Sequence, residues 1–134
     1  MKEARKSKGL FMFYNHNPKG SLSACDCVIR AIGKALNQSW ETTYKELSEI
    51  GLELFDVTGS DKVYELYLKR KGFEKCKRPV KKTNKRYTFG EFANLHKKGT
   101  FILRTSGHLT VLIDGYLYDT WDSSTCTLGN YFSL

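Results

Sequence analysis

Asp114-Gly115 leaves this chain the fewest options. The pair suits a two-residue β-hairpin turn, whose central residues need positive φ. It stands between two strand-like runs, His108 to Ile113 and Tyr116 to Trp121. With both residues in the turn, Ile113 pairs with Tyr116, and the register follows outward from there. His108 then lies across from Trp121, and Asp119 across from Thr110. Asp119 and His108 become diagonal neighbours on one face, about 7 Å apart at Cα.

The chain before that hairpin has a different period. Val28, Ile29, Ala31, Ile32, Ala35 and Leu36 predict a mostly buried helix from about Cys27 to Leu36, with Asp26 as its N-cap. Ser39 is positioned to cap a second helix from Trp40 to Ile50, stopped by Gly51. A third should span Asp61 to Lys71, with Val63, Leu66 and Tyr67 inward and Gly72 as the stop. Thr88-Phe89-Gly90-Glu91 has the pattern of a capping box and opens a short helix to about Lys97. From Thr100 the period becomes two, and Tyr131 to Leu134 can add a last edge strand. Leu10 to Tyr14 reads as a short strand or a segment packed on the core. Helices first and an antiparallel sheet afterwards define an α+β class.

The chain has 134 residues, enough for a single domain over 1–134. Residues 1–8 read as a disordered basic tail. Net charge is +8, which favours anionic partners without choosing among them. Much of it lies in Lys75 to Arg86, read as a solvated loop or edge strand. Lys81, Lys82, Lys85 and Arg86 there make nucleic acid a possible partner. No run approaches the length of a membrane span, so no membrane partner is expected. The four cysteines Cys25, Cys27, Cys76 and Cys126 lack knuckle spacing. They read as free thiols in a reducing, cytoplasmic compartment.

Cysteine attacks as a thiolate, and two devices lower a thiol pKa: a helix N-terminus and a neighbouring imidazolium. Cys27 has the first by position, and His108 can supply the second from the start of its strand. Asp119 can then hold one imidazole nitrogen and aim the other at sulfur. Cys25, which precedes the helix, is the weaker nucleophile candidate, and Asp122 is the rival to Asp119. Cys76 and Cys126 read as inert, His16 and His96 as surface residues. Arg30, in an otherwise apolar helix, requires a carboxylate, with Asp122 or Asp114 as candidates. Cys25, Cys27 and His108 do not have zinc-ligand spacing, and neither metal nor cofactor is expected.

The order of Cys27 at a helix start, then His108 and Asp119-Thr120-Trp121 on a sheet, resembles the papain-like cysteine peptidases. In that family the last motif commonly reads Asn-Ser-Trp. Asn17-Pro18-Lys19-Gly20 followed by Asp26-Cys27-Val28-Ile29-Arg30-Ala31-Ile32 also resembles small phage and bacterial proteins regarded as papain-like in fold. The resemblance implies a minimal papain-like domain, monomeric, in a bacterial or phage-infected cell. It implies a hydrolase acting on peptide or isopeptide bonds of a peptide or protein substrate, with Cys27, His108 and Asp119 as its triad. Transfer of the acyl group to an amine would use the same intermediate. The family's oxyanion glutamine, six residues before the cysteine, is replaced by Ser21. Asn15 or Asn17 would have to supply that donor beside the Cys27 N–H, and Trp121 would border the substrate. Val28 stands where the family has an aromatic residue, and Asp26 adds a negative charge beside the thiol. The alternative expectation is a non-catalytic binding protein on the same scaffold, engaging a host protein or nucleic acid through its basic surface.

Overall fold

A computed structural model describes residues 5–8 and 10–134 of the chain. Its class is α+β. Strands β1 (Arg5–Lys8) and β2 (Phe11–Phe13) come first, followed by helices α1 (Cys27–Leu36), α2 (Trp40–Leu54) and α3 (Asp61–Arg70). Strand β3 (Glu74–Cys76) and helix α4 (Phe89–Leu95) lead to β4 (Thr100–Thr105), β5 (His108–Ile113), β6 (Tyr116–Asp119) and β7 (Tyr131–Ser133).

Among the described residues the strands form one sheet in the order β1-β2-β6-β5-β4-β7-β3. The sheet is mixed rather than antiparallel, because β2 runs parallel to β6. Two expectations at the sheet's ends change. Arg5–Lys8 pairs with β2 instead of trailing as a tail, while residues 1–4 of that expected tail lie outside the described residues. The C-terminal β7 is an inner strand between β4 and β3, and β3 takes the edge.

The hairpin follows the register that its turn dictates. Asp114 and Gly115 have φ of 48° and 87°, and Ile113, Leu112 and Val111 pair with Tyr116, Leu117 and Tyr118. Alternation along these strands feeds two cores. Ile102, Leu109 and Val111 pack with Ile29, Ile32, Leu47, Val63 and Leu68 from α1, α2 and α3. Leu103, Leu112 and Leu117 pack on the other face with Phe89, Phe92 and Ala93 of α4. The central strands are therefore covered on both sides, and burying an aliphatic side chain there stabilises by about 1.5–3 kcal/mol.

Helix ends depart from expectation in instructive ways. α2 runs through Gly51 to Leu54 and stops at Phe55, which takes the left-handed φ of 55°. Gly51 is needed inside the helix: a Cβ there would lie 2.6 Å from the Asp56 carbonyl oxygen. At α4 the capping box forms in full between Thr88 and Glu91, but the helix ends at Leu95. Among the described residues no helix is long and apolar enough to cross a membrane.

His16 is not a surface residue: it is 3% exposed. Its Nε2–H donates to the Gln38 carbonyl at 2.7 Å, and Nδ1 accepts from the Tyr14 hydroxyl at 2.9 Å. Burial, with the Lys34 charge adding to it, depresses its pKa against the opposing pull of the Gln38 carbonyl. The ring sits on Gly33, where an added Cβ would come within 2.7 Å of it. Gly33→Ala should therefore cost about 1–3 kcal/mol in chemical denaturation; a change within about 0.5 kcal/mol would refute that close packing.

Candidate active site

Cys27 opens α1, and Asp26 holds the N-cap position. The Asp26 side chain does not cap the helix. It bonds to Arg30 one turn on, and it accepts hydrogen bonds from Asn17 Nδ2 and Trp40 Nε1, each at 3.0 Å. Arg30 thus finds its carboxylate in Asp26, not in Asp122 or Asp114. Its other terminal nitrogen stands 3.7 Å from Asp119. The negative charge beside the thiol is offset by this guanidinium.

His108 and Asp119 meet as the register requires: His108 Nε2 lies 2.7 Å from Asp119 Oδ2. The carboxylate is 4% exposed and held from several sides. Its Oδ1 accepts the Thr120 N–H at 2.7 Å, and Oδ2 lies 3.3 Å from the Ser123 hydroxyl. The residue after β2 contributes as well, since the Tyr14 N–H donates to the Asp119 carbonyl at 2.8 Å. Trp121 lies against the imidazole with ring centroids 4.7 Å apart, and the residue stays 45% exposed. Asp122 instead accepts the Ser124 N–H in an exposed turn.

With Nε2 occupied by Asp119, Nδ1 is the nitrogen left for sulfur, and His108 and Cys27 line the same cleft. Burial works to raise the thiol pKa. The polar influence of the His108 side chain and the Leu109 N–H, with the charges of His108 and Arg30, outweighs it, so the thiol lies below its ordinary value. For His108 burial is again the largest single influence and acts downward. Asp119 and Cys27 reverse it and raise the imidazole to about 9. Both shifts favour the charged pair, a thiolate facing an imidazolium, over the neutral one.

The thiol borders a narrow cleft of about 140 Å³, lined also by Val28, Tyr64, Arg104, Gly107 and Leu109. Arg104 is fixed there by the Tyr64 hydroxyl at 3.0 Å and by Asp61 at 2.8 Å. Asn15 and Asn17 do not line this cleft. The Asn15 amide donates to the Ser21 carbonyl at 2.9 Å, and the Asn17 amide donates to Asp26. Ser21 serves as the acceptor that closes this loop. Both asparagines therefore hold the segment before α1 in place. Cys25 is exposed in that segment. Burial raises the Cys126 thiol, and Cys76 donates to the Glu74 carbonyl at 3.6 Å. His96 is half-buried, stacked on Phe92 at 3.8 Å. Among the described residues no group of three or more His, Cys, Asp or Glu side chains gathers as a metal ion requires.

Comparison with family models, curated proteins and solved structures finds no match to this chain. The site therefore rests on its own geometry. Sequence reasoning missed Trp40 and Arg104. Trp40 follows a cap residue and reads as core, and nothing local announces that its indole N–H reaches Asp26. Arg104 sits at a strand end, where an exposed cation is ordinary.

Two measurements follow. The Cys27 thiol is shifted downward, so thiolate absorbance that disappears in Cys27→Ser should titrate below the ordinary 9.0, and His108→Ala should move it back up. His108 is shifted upward, so its charge contributes stability that is whole below pH 6.5 and lost as pH rises through about 9. The stability gap between wild type and His108→Gln should narrow over that window; a gap that widens contradicts the assignment. Asp26→Ala leaves Arg30, only 11% exposed, with its nearest remaining carboxylate among the described residues 3.7 Å away. A loss of about 3–5 kcal/mol in urea unfolding is expected, whereas less than 1 would mean that the pair is solvated.

Proposed function

We propose that this chain is a cysteine-dependent hydrolase of papain-like architecture, acting on a peptide or isopeptide bond. One observation carries the reading: a helix-start thiol shares a cleft with an imidazole whose far nitrogen is held by a buried carboxylate. An inert core cysteine does not need an imidazole raised to about 9 beside it. The α+β class with α1 packed on β5 is compatible with that architecture. The four unbridged cysteines suit a reducing cytoplasm.

In the proposed reaction the Cys27 thiolate attacks the carbonyl carbon, and the C–O π electrons move to oxygen. In this reading the Cys27 backbone N–H, at the positive end of α1, donates to that oxyanion. Collapse expels the amine, which takes the Nδ1 proton of His108, and leaves a thioester on Cys27. Neutral His108 then accepts a proton from water, whose oxygen attacks the thioester; the acid departs and the thiolate returns. An amine in place of water would give transfer by the same steps. Asp119 keeps Nε2 occupied throughout, so that Nδ1 faces sulfur. Trp121 shields this bond from water on its exposed side.

Cys25 provides an internal reference two residues away. In iodoacetamide labelling mapped by mass spectrometry below pH 7, Cys27 should react about tenfold faster than Cys25. His108→Ala should abolish the difference, and Asp119→Ala should reduce it. Equal rates at the two thiols would sink the catalytic reading.

A further inference from the structure

The positive charge of this chain is concentrated in one place. Of 22 basic and 14 acidic residues, seven bases and no acid fall in the twelve residues 75–86. The remainder holds fifteen bases against fourteen acids and is close to neutral. This segment is also built, not loose. Val80 and Arg86 form an antiparallel bridge, the Lys81 N–H donates to the Lys85 carbonyl at 2.8 Å, and the Asn84 N–H donates to the Lys81 carbonyl at 2.8 Å. Asn84 takes the left-handed φ of 66° that closes the turn. Behind the hairpin, the Leu128 N–H donates to the Tyr87 carbonyl at 2.8 Å and ties its base to the core.

Two of its cations are spent internally, Lys75 on Glu65 and Lys81 on Glu91. Lys77, Arg78, Lys82, Lys85 and Arg86 are exposed, and among the described residues none has an acidic partner. Self-repulsion on a compact hairpin costs stability unless an anion relieves it. The face has little apolar surface beyond Val80, at 51% exposure. Protein interfaces need an apolar core, whereas nucleic-acid interfaces are polar and strongly positive.

We propose that this hairpin binds nucleic acid through the phosphate backbone, without reading base sequence. The five free cations are the contacts. The surface is separate from the Cys27 cleft, whose lining includes no residue of 75–86.

Fluorescence anisotropy of the full chain tests this with two labelled probes, a short mixed-sequence DNA duplex and a mixed-sequence single-stranded RNA. Both carry the shared chemistry, and their relative affinities identify which source the hairpin prefers. Affinity should fall with log salt, with a slope of about −0.9 for each duplex phosphate neutralised and about −0.7 for each on a single strand. The triple variant K82E/K85E/R86E should weaken binding at least about a hundredfold near 100 mM salt and remove close to three contacts from the slope. K82Q/K85Q/R86Q should act in the same direction without charge reversal. The matched variant K45E/K62E/K69E, on α2 and α3, changes net charge identically and should retain binding within about threefold. The hairpin variants should also keep the wild-type Cys27 alkylation rate, which separates this surface from the cleft. Equal loss in the two triple-Glu variants, salt-independent binding, or competition by polyglutamate as strong as by DNA would each overturn the proposal.

Discussion

A carboxylate buried at the end of a sheet strand must be neutralised, and most of the site follows from how Asp119 meets that demand. His108 binds one oxygen, the Thr120 N–H binds the other, and Arg30 stands beyond it. Arg30 reaches there because it belongs to α1, one turn after Cys27, so the helix that presents the thiol also carries the counter-charge. Removing water from two acids and one guanidinium is expensive, and only mutual pairing with further hydrogen bonds offsets it. Asp26 takes the near end of the guanidinium, with Trp40 and Asn17 filling its second oxygen. The arrangement ties α1, α2, the segment before α1 and β6 to a single charge balance.

That balance changes the meaning of Asp26. Beside a thiol, a bare carboxylate would oppose ionisation. Paired with Arg30 and receiving two N–H bonds, it instead holds the guanidinium near Cys27, where the Arg30 charge lowers the thiol pKa. The missing side-chain cap on α1 belongs to the same trade. Asp26 spends its oxygens on Arg30, Trp40 and Asn17 and leaves the first N–H groups of the helix unclaimed by its side chain. The positive end of the helix therefore stays available to a negative charge on the thiol that opens it.

What could be read from sequence divides along physical lines. The hairpin was legible because Asp114-Gly115 admits few turn geometries and strand periodicity is rigid: once Ile113 faces Tyr116, His108 and Asp119 must share a face. The bounds of α1 were legible for a similar reason, since apolar residues on more than one side demand burial. The parallel strand β2 was not, because Phe11–Phe13 is too short to signal its partner. His16 was misread as exposed for want of a local cue. Its burial is set by Gly33, Gln38 and Tyr14, residues joined only by the fold. The bonds of Asn15 and Asn17 were equally hidden, because side-chain amides in a loop follow the loop's conformation, which composition does not fix.

The placement of β2 connects these hidden parts to the legible ones. Pairing Phe13 with Asp119 delivers the chain at Tyr14 to the end of β6, where the Tyr14 N–H binds the Asp119 carbonyl. From there the Asn15–Ser21 loop reaches the start of α1 and meets Asp26 through Asn17. One segment thus bridges the strand bearing the carboxylate and the helix bearing the thiol. A rigid link of this kind matters because hydrogen-bonded chemistry tolerates little displacement: a shift of about 1 Å between sulfur and imidazole is enough to cost orders of magnitude in rate. On this geometry Asn15 and Asn17 earn their place through position alone. They brace the segment that runs from the end of β6 to the start of α1.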